Sequence, residues 1–159
     1  MTQKRSLHIF VVEDDQYSLR VADFLSAESN GGHKVDIATE LDSTAYFLEY
    51  EPGISAYDCL VFDLSLPNGA VRHIDGKERR YDSALSGLEF ILQNYDNLFR
   101  EPVEEGRVAI LTAYTIRMED EVRNNPRSKD IISKITQISK LANNALEELV
   151  TYINEVEPK

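Results

Sequence analysis

Short apolar runs, each breaking off at polar or acidic residues, punctuate this chain, and helix-patterned stretches lie between them. The first run, Leu7-His8-Ile9-Phe10-Val11-Val12, stops at Glu13-Asp14-Asp15. A run this short and β-branched suits a strand buried on both faces. Leu19, Val21, Ala22, Phe24 and Leu25 then recur at helical spacing, and Gly31-Gly32 closes that helix. Residues 34–38 predict a second strand, and 41–50 a second helix closed by Pro52-Gly53. Residues 58–64 predict a third strand, nearly all apolar until it meets Asp63. A long polar stretch, about 65–84, precedes a helix over 86–97 that buries Leu88, Phe90, Ile91 and Leu92. A fourth strand is expected over 107–111 and a weak helix over 115–125, stopped by Pro126. A fifth strand is expected over 130–133. In the last helix, Ile138, Leu141, Ala142, Ala145, Leu146, Leu149, Val150 and Ile153 form one stripe.

Strands alternating with helices imply a parallel sheet covered on both faces. Five such units predict an α/β, doubly wound (βα)5 fold with the flavodoxin-like strand order 2-1-3-4-5. At 159 residues the chain reads as one domain, 1–159, with no room for a second. Its formal net charge of −11 would repel phosphate backbones and anionic lipid, so neither nucleic acid nor membrane is expected as a partner. Cys59 is the sole cysteine, which excludes an internal disulfide, and a place in the buried third strand is expected for it. No targeting or spanning segment is evident, so the expectation is a cytoplasmic protein.

In this topology the ends of strands 1 and 3 are neighbours, and ligands bind at that carboxyl edge. Glu13, Asp14 and Asp63 would crowd one crevice there. Clustered carboxylates repel unless a cation neutralises them. A hard divalent ion with oxygen ligands fits, Mg²⁺ first and Mn²⁺ as an equivalent. Strand 4 ends at Thr112, and the expected strand 5 ends at Lys134. Carboxylates, metal, hydroxyl and ammonium together make a phosphoryl site in which a carboxylate can be the nucleophile. Asp15 suits a helix N-cap. His8, His33 and His73 show no ligand spacing and are expected at the surface or an edge.

These residues resemble the receiver domain of bacterial two-component response regulators. The resembling motifs are residues 9–15, residues 60–67 around Phe62-Asp63-Leu64-Ser65-Leu66-Pro67, Ser86-Gly87-Leu88-Glu89, Ile110-Leu111-Thr112-Ala113, and Lys134. The resemblance extends over nearly the whole chain. It implies Asp63 as phosphoacceptor, Asp14 as direct metal ligand, Glu13 as a ligand through water, and the Ser65 backbone carbonyl as a further ligand. It implies that Thr112 reads the phosphoryl group, that Lys134 pairs with it and that Ala113 keeps the pocket open. Ser65 and Tyr114 would tune hydrolysis. A histidine kinase or histidine phosphotransfer protein would be the donor. A downstream protein would be the recipient. Helix 4, strand 5 and helix 5 would form the switched face and, in a homodimer, the contact.

On this reading the chain is a stand-alone receiver with no output domain, and it is not a conventional enzyme. An alternative is a pseudo-receiver, an interaction module that never carries phosphate. An aspartyl phosphatase is disfavoured because Ser65 stands where its second acid would be. The sequence departs from the resembled pattern in three places. An insertion at about 68–85 holds Arg72, Lys77, Arg79 and Arg80 against Asp75, Glu78 and Asp82, and is expected as a solvated, structureless loop. It lies where it would gate the site or select the donor. Ile135 rather than proline follows Lys134, and Ile131-Ile132 occupy the stretch where an aromatic is usual.

Overall fold

The computed structural model describes residues 6–13, 15–113 and 122–159. Five strands form one parallel sheet: β1 (His8–Val12), β2 (Lys34–Ala38), β3 (Cys59–Phe62), β6 (Val108–Thr112) and β7 (Thr136–Ser139). Their order is β2-β1-β3-β6-β7. With the inserted β4 (Gly69–Arg72) and β5 (Glu78–Tyr81) set aside, this is the expected 2-1-3-4-5. The flanking helices are α1 (Asp15–Ser26), α2 (Leu41–Ala45) with a π-helical extension Tyr46–Tyr50, α3 (Ser86–Gln93), α4 (Arg100–Glu104), α5 (Pro126–Ser133) and α6 (Ala145–Glu155). No helix among the described residues is long and apolar enough to cross a membrane.

The apolar runs are continuous because both sheet faces are buried, and the period of two sorts them. Phe10, Val12, Leu60, Phe62, Val108 and Ile110 pack on one side with α2, α3, α5 and the hairpin β4–β5. Ile9, Val11, Cys59, Val61, Ala109 and Leu111 pack on the other with α1 and α6. Cys59 is buried and free.

Two expectations near the end of the chain are overturned. Residues 130–133 belong to helix α5, and the fifth strand is Thr136–Ser139. Pro126, read only as a stop, also starts the next helix. The Asn125 side chain accepts from the Ser128 N–H at 3.1 Å, and Pro126 takes the first helical position, where its missing N–H costs nothing. The stripe read as one helix is also divided. Ile138 is buried in the sheet, Leu141 is 77% exposed, and α6 begins at Ala145. The expected helix over 115–125 falls largely outside the described residues.

The insertion is the third correction, for it is an ordered antiparallel hairpin that contributes to the core. Val71 and Tyr81 are buried, and the basic residues meet acids of their own segment, Arg72 with Glu78, Arg79 with Asp75 and Arg80 with Asp82. His73, expected at the surface, is 1% exposed. Its Nδ1 lies 2.8 Å from Glu49 Oε1 and its Nε2 lies 2.7 Å from the Tyr81 hydroxyl. Asn94 Nδ2 donates to the same hydroxyl at 2.9 Å. A neutral imidazole satisfies the whole chain, with Asn94 donating to Tyr81, Tyr81 to Nε2, and Nδ1–H to Glu49. His33 is also buried, and its Nδ1 accepts from the Leu7 N–H at 3.0 Å. His8, at the partly buried sheet margin, lies 2.8 Å from Asp36 through Nε2.

Removing the Tyr81 hydroxyl leaves two buried partners unmatched. Tyr81→Phe should therefore lower stability by about 1–3 kcal/mol, read as a lower urea midpoint at unchanged slope. A neutral result would mean that the hairpin is not keyed into the core.

Candidate functional site

The ends of β1, β3, β6 and β7 converge at the carboxyl edge of the sheet. Two backbone bonds carry the ladder past the strands. The Glu13 N–H donates to the Ala38 carbonyl at 3.1 Å, and the Asp63 N–H donates to the Val12 carbonyl at 2.7 Å. They fix where both carboxylates emerge. Glu13 is 1% exposed and Asp63 is 4% exposed. Thr112 closes β6 and is fully buried. Its carbonyl accepts the Lys140 N–H at 3.0 Å, which anchors the residue just past β7.

From that anchor Lys140 reaches both acids. Its Nζ donates to Asp63 Oδ2 at 3.1 Å and to Glu13 Oε1. Burial, then the Asp63 charge, push the Glu13 pKa up to about 8, against the opposing pull of Lys140. Burial works against the Lys140 ammonium, but its bonds to Glu13 and Asp63 outweigh that and raise its pKa.

The lysine is not the expected one. Lys134 caps the C-terminus of α5, is exposed, and pairs with Asp130 at 3.5 Å. Lys140 lies six residues further on because the strand that delivers it is Thr136–Ser139. The Asn125-Pro126 pair was the overlooked signal, since it opens a helix through the residues read as strand. Of the other candidates, Glu13, Asp63 and Thr112 are brought to one edge. Asp14 and Tyr114 lie outside the described residues. Ala113 follows Thr112 directly and is half-buried. Asp15 is the first residue of α1 rather than the residue before it.

The loop after Asp63 is held by the start of α3. Ser86 Oγ donates to the Leu66 carbonyl at 2.6 Å and accepts the Leu66 N–H at 3.3 Å. The Ser65 N–H points to Asp63 Oδ1 at 3.4 Å. The Gly87 N–H donates to the Leu64 carbonyl at 2.8 Å. A Cβ on Gly87 would lie 2.5 Å from the Asp63 carbonyl oxygen, so the helix approaches the backbone just past β3 as closely as glycine permits.

Among the described residues no group of three His, Cys, Asp or Glu is arranged to hold a metal. The described oxygen donors brought together there are the two buried carboxylates of Glu13 and Asp63. Such an all-oxygen set is suited to Mg²⁺ or Mn²⁺ and not to a soft metal.

No protein-family model and no curated protein matches the chain. Solved structures do. A response regulator receiver domain from Rhodospirillum rubrum aligns with a TM-score of 0.58 at 18% identity, over 95% of this chain and 99% of that one. The phosphorylated cyanobacterial phytochrome response regulator RcpA aligns with a TM-score of 0.56 at 22% identity, over 94% and 92%. The Mn²⁺-bound form of response regulator Rcp1 aligns with a TM-score of 0.55 at 20% identity, over 93% and 91%. The fold is that of a response-regulator receiver domain.

Three substitutions test the geometry of this receiver fold. Gly87→Ala forces α3 off the β3 terminus and should cost about 1–3 kcal/mol, read by urea unfolding. Lys140→Met leaves two buried acids facing each other. It should destabilise the metal-free protein by about 1–3 kcal/mol, whereas Lys134→Met should change stability by less than about 0.5 kcal/mol. Equal effects of the two lysine substitutions would refute the assignment of Lys140 to the site.

Proposed function

We propose that this protein is a phosphoacceptor receiver, with Asp63 as the acceptor and Lys140, not Lys134, as its cationic partner. The observation that carries this reading is the single ammonium shared by Asp63 and Glu13 at the meeting point of four strand ends. It is supported by the fold, by the buried Thr112 beside them, and by solved structures of the same fold described as phosphorylated and as Mn²⁺-bound.

The donor would be a phosphohistidine on a kinase or phosphotransfer protein. An Asp63 carboxylate oxygen attacks phosphorus, an O–P bond forms, the P–N bond breaks, and its electron pair returns to the imidazole. Asp63, Glu13, Asp14 and the Ser65 carbonyl would hold Mg²⁺ or Mn²⁺. That ion supplies charge neutralisation for the phosphoryl oxygens. Lys140 neutralises a further oxygen, and the Thr112 hydroxyl donates to another. The acyl phosphate adds about −1.5 to −2 charges to an already acidic edge. Lys140 and Thr112 are joined through the backbone, so both are drawn toward the new charge together. The face made by α5, β7 and α6 is then biased between two arrangements that a downstream protein or a second copy distinguishes.

Incubation with acetyl phosphate and Mg²⁺, followed by intact-mass spectrometry, should add one phosphoryl mass to wild type and none to Asp63→Asn. Lys140→Met should slow the addition at least about tenfold, and Lys134→Met should leave it unchanged. Addition that persists in Asp63→Asn, or none in wild type, would exclude Asp63 as acceptor and favour the non-phosphorylated interaction module.

A further inference from the structure

Lys140 meets a third group that this chemistry does not use. Its Nζ lies 4.7 Å from the centroid of the Tyr17 ring. Tyr17 is in the first turn of α1, directly after the acidic end of β1. It is partly buried and packs against the cluster formed by α1, α6 and their face of the sheet. The same ring also carries the Arg20 guanidinium, with Cζ 5.7 Å from the centroid.

We propose that Tyr17 is a positioning residue for the phosphoryl site, its ring face holding the Lys140 ammonium where it reaches Asp63. The proposal rests on the reading of Asp63 as phosphoacceptor. A lysine ammonium is a point charge on a flexible four-carbon stem, and nothing in that stem selects one direction. Here the two carboxylates accept from the ammonium, and the negative face of the Tyr17 ring lies beside it. The arrangement matters most when a cation occupies the carboxylate cluster. Lys140 then loses its hold on Glu13, and the ring remains as a neutral seat that does not compete with the ion. Tyr17 touches no phosphoryl oxygen in this scheme. It acts through Lys140, and the ring rather than the hydroxyl is the working part.

The test uses the full chain with Tyr17→Phe, Tyr17→Leu, Lys140→Met and the double variant Tyr17→Leu/Lys140→Met. With acetyl phosphate and Mg²⁺, Tyr17→Leu should slow phosphorylation of Asp63 by about 3- to 30-fold, and Tyr17→Phe should restore it to within about twofold of wild type. In the Lys140→Met background, Tyr17→Leu should cause no further loss. Equal losses with and without Lys140, or a loss in Tyr17→Phe as large as in Tyr17→Leu, would overturn the proposal.

A second readout is independent of phosphorylation. The Lys140 Hε protons should be ring-shifted upfield in wild type and Tyr17→Phe, and return to ordinary positions in Tyr17→Leu. Unshifted protons in wild type would overturn the proposal. A wild-type protein that accepts no phosphoryl group would instead overturn the reading of the site. The nuclear magnetic resonance arm alone would then decide whether Tyr17 seats Lys140.

Discussion

Two carboxylates buried side by side are a standing cost, and one ammonium between them makes this edge of the sheet tenable. Glu13 and Asp63 emerge from adjacent parallel strands whose ladder bonds run to their own backbones, so neither can withdraw. Lys140 is tied by its backbone to Thr112, so its reach is fixed as well. The result is a balance of charges set by strand register. The elevated Glu13 pKa records first its burial and then the charge of the neighbouring Asp63.

Much of this was legible in the sequence because parallel sheets write themselves plainly. Runs buried on both faces read as uninterrupted apolar segments, and alternation with helices fixed the strand order before any contact was known. Glu13, Asp63 and Thr112 were legible because each directly terminates such a run. Lys140 was not. It follows a strand in which Ile138 alone is buried and Thr136 and Gln137 are exposed, so no apolar run announces it. Ile131-Ile132, the more conspicuous pair, face the core from a helix instead. The error was one of competing signals: a β-branched pair outweighed an Asn-Pro helix start. The departures noted around the lysine shift with it. Leu141, not proline, follows Lys140, and Gln137-Ile138-Ser139, with no aromatic, precede it.

The insertion was misread for a different reason. Its charges suggested a solvated loop, yet they neutralise one another across and along the hairpin. What keys it down is a histidine and a tyrosine of the hairpin meeting an asparagine at the end of α3, and no local pattern reveals that they meet. Ser86 and Gly87 had been noticed as motif residues. Their physical role, clamping Leu66 and admitting α3 to the backbone of Asp63, emerges from packing alone.

The keyed hairpin changes what counts as a breakable part of this chain. Val71 and Tyr81 join the same apolar cluster as Phe62 and Phe90, so their segment lacks a weak seam along which to peel away. Val71 and Tyr81 tie it to the core, whereas the tip from Ile74 to Lys77 stands exposed. An appendage in the linear order has become, energetically, a wall of the house.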